Sequence, residues 1–206
     1  VSTETAPSRD IATGQWLEPD DGPRWWFDSG SIAFDFAYTG DLGESELIPD
    51  AQTLAAWLSE RFGAVDAQAR EVQPADALML RGAIARLARA SANGAADLDP
   101  ADIDVVNLFA ATPDIPPALP GGSRQAGRTR ASGRQALATI AREAVAVFGG
   151  ARIRECGADD CTMIYVDTSR SGTRRWCSMQ RCGNRAKVRA HRARAATRRQ
   201  HETPSP

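Results

Sequence analysis

Four stretches of the chain repeat apolar residues at the three- and four-residue spacing of a helix face. Residues 49–63 (PDAQTLAAWLSERFG) place Leu54, Trp57, Leu58 and Phe62 on one side, with Asp50 able to cap the start and Gly63 able to end it. Residues 73–94 begin with Pro74, suited to a first helical position. They carry Leu80, Ile84, Leu87 and Ser91 in phase and stop at Asn93-Gly94. Residues 99–113 repeat the Asp-Pro opening, align Ile103 and Val106 with Phe109 or Ala110, and close at Thr112-Pro113. Residues 132–150 open on the capping-box pair Ser132 and Gln135, point Leu137, Ile140, Ala144 and Phe148 inward, and end at Gly149-Gly150. The aromatic-rich stretch 24–41 (RWWFDSGSIAFDFAYTGD) reads as core through Trp25, Phe27, Ile32, Phe34 and Phe36. Its periodicity fits an extended segment and a helix equally.

Between these elements, residues 114–133 are rich in Pro, Gly and Arg without aliphatic periodicity and read as a linker. Residues 1–23 read as a flexible lead in which Trp16 and Leu17 are candidates to dock, and residues 200–206 as a tail. The expected architecture is mainly α: an N-terminal helical bundle over 24–150, then a smaller module over 151–199. The bundle offers no catalytic pattern. Both histidines, His191 and His201, lie outside it, and its many carboxylates read as a solvated face.

Charge divides the chain more sharply than hydropathy does. Residues 1–122 hold 7 basic and 20 acidic side chains, a net −13, whereas residues 123–206 hold 18 basic and 6 acidic, a net +12. An acidic body joined to a basic end either meets a polyanion or neutralises itself internally. No apolar run is long enough to span a bilayer, and the polar N-terminus lacks the apolar core of a signal peptide. The expectation is a cytoplasmic protein without a membrane partner.

All four cysteines fall in the basic part, as Cys156-x4-Cys161-x15-Cys177-x4-Cys182. Two short pairs separated by a hairpin-sized spacer suit a four-thiolate zinc site. Two disulfides or an iron–sulfur cluster are the rivals, and a reducing compartment disfavours the first. Within the spacer, residues 162–169 (TMIYVDTS) are β-prone, Gly172 supplies a turn, and Arg174 to Cys177 read as the return strand. Ser178 then caps a helix that begins at Met179 and carries Cys182. Knuckle, hairpin and ligand-bearing helix, in that order, make a treble-clef-like finger. Its helix N-terminus favours thiolate charge.

Residues 152–194, with Asp167-Thr168-Ser169, Arg175-Trp176-Cys177-Ser178 and Cys182-Gly183-Asn184-Arg185 followed by Ala186-Lys187, resemble the CGNR zinc finger. Upstream, FDFAYTGD followed by ELIPDAQTLAAWL resembles the ABATE domain that precedes this finger in bacterial stress-induced transcription regulators. The resemblance covers roughly residues 25–194. It implies a zinc-binding transcription regulator whose N-terminal domain serves as a sensor or assembly module, with a small-molecule effector and a homodimer among the expected partners.

A helix from Met179 to about Arg199 puts the small residues Ala186, Ala190 and Ala193 in line with Met179 and Cys182, a face suited to lying against the hairpin. The rest of its circumference is basic. Arginine at this density suits phosphate oxygens, and Asn or Arg can reach base edges in the major groove. The candidate nucleic-acid contacts are Arg174, Arg175, Arg181, Asn184, Arg185, Lys187, Arg189, Arg192 and Arg194. For Arg185, an ion pair with Asp167 that locks hairpin to helix competes with a DNA contact, and Asn184 is similarly open. DNA binding is the leading function. A protein- or RNA-interaction module is the alternative, and catalysis is disfavoured because a four-cysteine zinc site leaves no position for water.

Overall fold

The computed structural model describes residues 11–18, 22–43, 45–63, 65, 72–117 and 131–201, of which 196–201 are described by backbone alone. The four periodic stretches are helices: α2 (Ala51–Phe62), α3 (Pro74–Ala92), α4 (Pro100–Ala110) and α5 (Gly133–Phe148). Their ends follow the local chemistry. Asp50 and Thr53 form a reciprocal capping box, as do Ser132 and Gln135. Asp99 accepts from the Ala101 amide, and Pro74 and Pro100 occupy the first turns. Leu54, Leu58, Leu80, Ile84, Leu137 and Ile140 from α2, α3 and α5 are almost fully buried in one core.

The aromatic stretch supplies a strand and a helix, β2 (Trp25–Phe27) and α1 (Ile32–Ala37). Ser31 caps α1, and the half-buried Glu143 of α5 accepts from the Ser31 hydroxyl (2.8 Å) and the Ala33 amide (3.0 Å). Part of the expected flexible lead is ordered: β1 (Gln15–Leu17) pairs antiparallel with β2 and sets Trp16 opposite Trp26. Their rings meet edge to face at 5.6 Å. The Asp35 carboxylate holds this hairpin to α1 by accepting from the Gly14 amide (2.6 Å) and the Ser29 hydroxyl (2.6 Å). Burial pushes Asp35 up to about 6. Of the linker, residues 114–117 run without regular structure, and 118–130 lie outside the described residues.

The C-terminal hairpin departs from the expectation. Its strands are β3 (Ile153–Glu155) and β4 (Ile164–Val166), so it encloses the first cysteine pair instead of lying between the pairs. Arg174 to Cys177 form no strand. Side chains hold this return: the Tyr165 hydroxyl donates to the Arg174 carbonyl (2.9 Å), and Gly157 adds one backbone bond to Arg175 (2.8 Å). All three residues of β4 are buried. Ile164 and Val166 belong to the bundle core, while Tyr165, on the opposite face, packs in a second core with Phe27, Tyr38 and three of the cysteines.

The backbone of β4 is also joined to the bundle. Tyr38, at the end of α1, receives the Ile164 amide on its hydroxyl oxygen (2.7 Å) and donates to the Ile164 carbonyl (3.0 Å). The Val166 amide donates to the Ser29 carbonyl (2.8 Å). Gly30 crosses this seam at φ +75°, and a Cβ there would stand 2.6 Å from the Val166 carbonyl oxygen, so a side chain is barred twice over. Tyr38→Phe strands the amide and carbonyl of Ile164 without their partner. It is expected to destabilise the protein by about 1–3 kcal/mol, measured as a lower urea midpoint at unchanged slope. An unaltered midpoint would show that the hydroxyl contributes nothing.

Candidate metal centre

Cys156 follows β3 directly and Cys161 closes the loop back towards β4. The Cys156 amide donates to the Met163 carbonyl (2.8 Å), and the Cys161 amide donates to the Ala158 carbonyl (3.0 Å). Cys177 ends the return segment, where the Arg174 guanidinium binds the carbonyls of Trp176 (3.1 Å) and Cys177 (2.6 Å) and stacks 4.1 Å from the Tyr165 ring. Cys182 lies in a π turn, Met179–Gly183, that leads into α6 (Asn184–His201). Ser178 caps this turn as expected, and the Gly183 amide donates to the Ser178 carbonyl (3.0 Å). A Cβ on Gly183 would stand 2.8 Å from the Met179 sulfur and 3.3 Å from Trp176, so the close approach made here is to the segment before the helix.

These elements bring the four sulfurs within 4.8 Å of one another. Cys161 and Cys177 are 3.7 Å apart, and Cys177 and Cys182 are 3.5 Å apart. The tetrahedron set by zinc–sulfur bonds of about 2.3 Å has edges of about 3.8 Å. The spacing therefore fits one four-coordinate ion. It is far longer than the ~2.05 Å of a disulfide. Without metal the set is electrostatically uneven. A hydrogen bond from Cys177 holds the Cys161 thiol down at about 5, the same bond pushes Cys177 up, and burial raises Cys156. Donors already serve the sulfurs, among them the Cys177 amide to Cys156 (3.4 Å) and the Arg185 guanidinium to Cys182 (3.1 Å). Both suit thiolate charge.

Two family models meet in this chain. Residues 30–151 match the ABATE model, described as "Putative stress-induced transcription regulator", and residues 152–195 match the CGNR zinc finger. The chain belongs to the ABATE family. It carries a CGNR zinc finger directly behind the ABATE segment. No curated protein matches it. Neither family is an enzyme class, and among the described residues no helix is long and apolar enough to cross a membrane.

In the CGNR tetrad, Cys182 and Gly183 are buried, whereas Asn184 is exposed and only touches the Gln180 carbonyl (3.4 Å). Arg185 does not pair with Asp167. It binds the Cys182 sulfur and lies 3.3 Å from Asp160, which belongs to the first knuckle. Asp167 instead closes the Ser169 turn, with Arg154 at 3.4 Å. Position explains the difference: Arg185 is three residues past the ligand, on the side facing the knuckle. Arg189 continues the row with Asp160 at 2.8 Å. Arg174 also donates to the Asp28 carbonyl (2.8 Å), so its Nε and one terminal nitrogen are engaged within the fold. Arg175 stacks on Trp176 (5.2 Å) and Arg181 on Trp25 (4.8 Å).

Beyond Ala186, every side chain of α6 as far as residue 194 is exposed. Ala190 and Ala193 are exposed, so the expected small-residue face does not lie on the hairpin. Lys187, Arg192 and Arg194 are exposed and have no ion-pair partner among the described residues. The chain is expected to bind one zinc per molecule, with the roughly 10–16 kcal/mol apparent affinity of structural zinc modules. Cys182→Ser is expected to abolish it. Elemental analysis that finds iron, or no metal beside four reactive thiols, would contradict the assignment.

Proposed function

We propose that this protein is a DNA-binding transcription regulator in which a zinc ion on Cys156, Cys161, Cys177 and Cys182 fixes the base of α6 and α6 enters a DNA groove. The observation that carries the reading is the posture of α6. From Asn184 to His201 it contains seven Arg or Lys and no Asp or Glu, and every side chain from residue 187 to 194 is exposed. A helix that served only to neutralise the acidic body would lie on that body. A helix of this charge held clear of the fold gives up packing and keeps its cations for an external polyanion.

Lys187, Arg192 and Arg194 are the leading phosphate contacts, with Arg175 at the return segment and Asn184 exposed beside the groove-facing side chains. Arg185 and Arg189 brace the helix against Asp160, and Arg174 braces the cysteine return. These three serve geometry first. The ABATE segment is the sensor or assembly half, the place for an effector or a second copy. Metal chemistry here is structural: four thiolates complete the coordination.

Replacing Lys187, Arg192 and Arg194 together by Gln is expected to leave zinc content and melting unchanged while lowering DNA affinity. The slope of log K against log salt should fall by about 0.9 for every phosphate that the helix ceases to neutralise. Fluorescence anisotropy over a salt series reads both quantities. DNA affinity equal to that of the unaltered chain would remove α6 as the binding element and favour a protein- or RNA-interaction role.

A further inference from the structure

A cleft of about 650 Å³ opens where the β1–β2 hairpin, the loop after α1 and the first cysteine knuckle meet. That volume falls in the range of small-molecule sites, roughly 300–1,000 Å³. Its walls include Trp16, Trp25, Leu42, Leu47 and Met163, and Arg181 enters from the turn that begins the basic helix. Two kinds of unmet demand converge here. Trp16 and Leu47 leave 51% and 43% of their surfaces exposed. The Arg181 guanidinium lies over the Trp25 ring at 4.8 Å and has no carboxylate partner among the described residues. The Trp25 indole N–H also lacks an acceptor there.

We propose that this cleft binds an amphipathic organic monocarboxylate, its carboxylate paired with Arg181 and its apolar body covering Trp16, Leu47 and Met163. A planar guanidinium takes a carboxylate in a fork, and the apolar side chains beside it cover the rest of the ligand. Glu18 on the same lining opposes a second negative charge, so polyphosphates and nucleic acid are poor occupants. The site joins the two halves of the molecule. Trp25 and Leu42 belong to the acidic half, Met163 stands two residues past Cys161, and Arg181 directly precedes Cys182. A carboxylate that claims Arg181 removes one cation from the foot of α6 and opposes DNA. This coupling rests on the DNA-binding reading; the site itself does not.

The test is calorimetric titration of the intact, zinc-loaded protein, without DNA, with 2-naphthoate, 4-phenylbutyrate and decanoate, each beside its uncharged amide. At least one acid is expected to saturate with Kd below about 1 mM and to bind tenfold or more tightly than its amide. Arg181→Gln should lose that preference, while Arg181→Lys keeps part of it. Saturation by no acid, equal binding of acid and amide, or undiminished acid binding by Arg181→Gln overturns the site. The acid–amide comparison uses the unaltered chain, so a variant that fails to fold does not spoil it. With DNA present, the bound acid should lower DNA affinity and reduce the salt slope by about 0.9. Acid binding with unchanged DNA affinity keeps the site and overturns the coupling, and absence of any DNA binding overturns the regulator reading alone.

Discussion

Strand β4 is three residues long, and the rest of the molecule is arranged about it. Ile164 and Val166 fill the bundle core, and Tyr165 fills the core around the cysteines. Its outward amides and carbonyl are taken by Tyr38 and Ser29 of the acidic half. A strand buried on both faces cannot shift register by one residue without exchanging its two cores. That constraint fixes where the first knuckle begins and where Cys161 points. The metal site and the bundle are therefore geometrically dependent, although the two family matches divide the chain at residues 151 and 152.

The consequence for function runs through Cys182. The sulfur cluster anchors the π turn, the π turn sets the axis of α6, and Arg185 and Arg189 hold that axis against Asp160. Such exposed ion pairs contribute little individually. Their role is direction: they pair Arg185 and Arg189 and leave Lys187, Arg192 and Arg194 to solvent. The acidic half also touches the base of α6, through Phe27 and Tyr38 against the cysteines and through Trp25 under Arg181.

Much of this was legible in the sequence because it is local. Asp50, Ser132, Pro74 and Ser178 act within a few residues of themselves, and cap where their chemistry says they should. The cysteine spacing was equally readable, since each pair needs only its own short loop to converge. What escaped was long-range. β3 pairs across the first knuckle through Ile153 and Glu155, a short half-polar segment with no strand signature of its own. Trp16 meets Trp26 only through the pairing of β1 with β2, which the reading of residues 1–23 as a flexible lead did not include. For Arg185 the expected ion-pair partner was Asp167, and only the fold brings Asp160 to it instead. Tyr38 carried no signal at all, because its partners are backbone atoms of Ile164.

The most direct measurement is hydrogen exchange by mass spectrometry on the intact chain, before and after zinc is removed by a chelator. If β4 ties metal site and bundle into one unit, stripping the metal raises exchange at residues 164–166 and also at residues 27–38, while α3 and α5 keep their protection. Exchange that rises only within residues 152–195, with 27–38 unchanged, would contradict the account and make the finger an independent appendage.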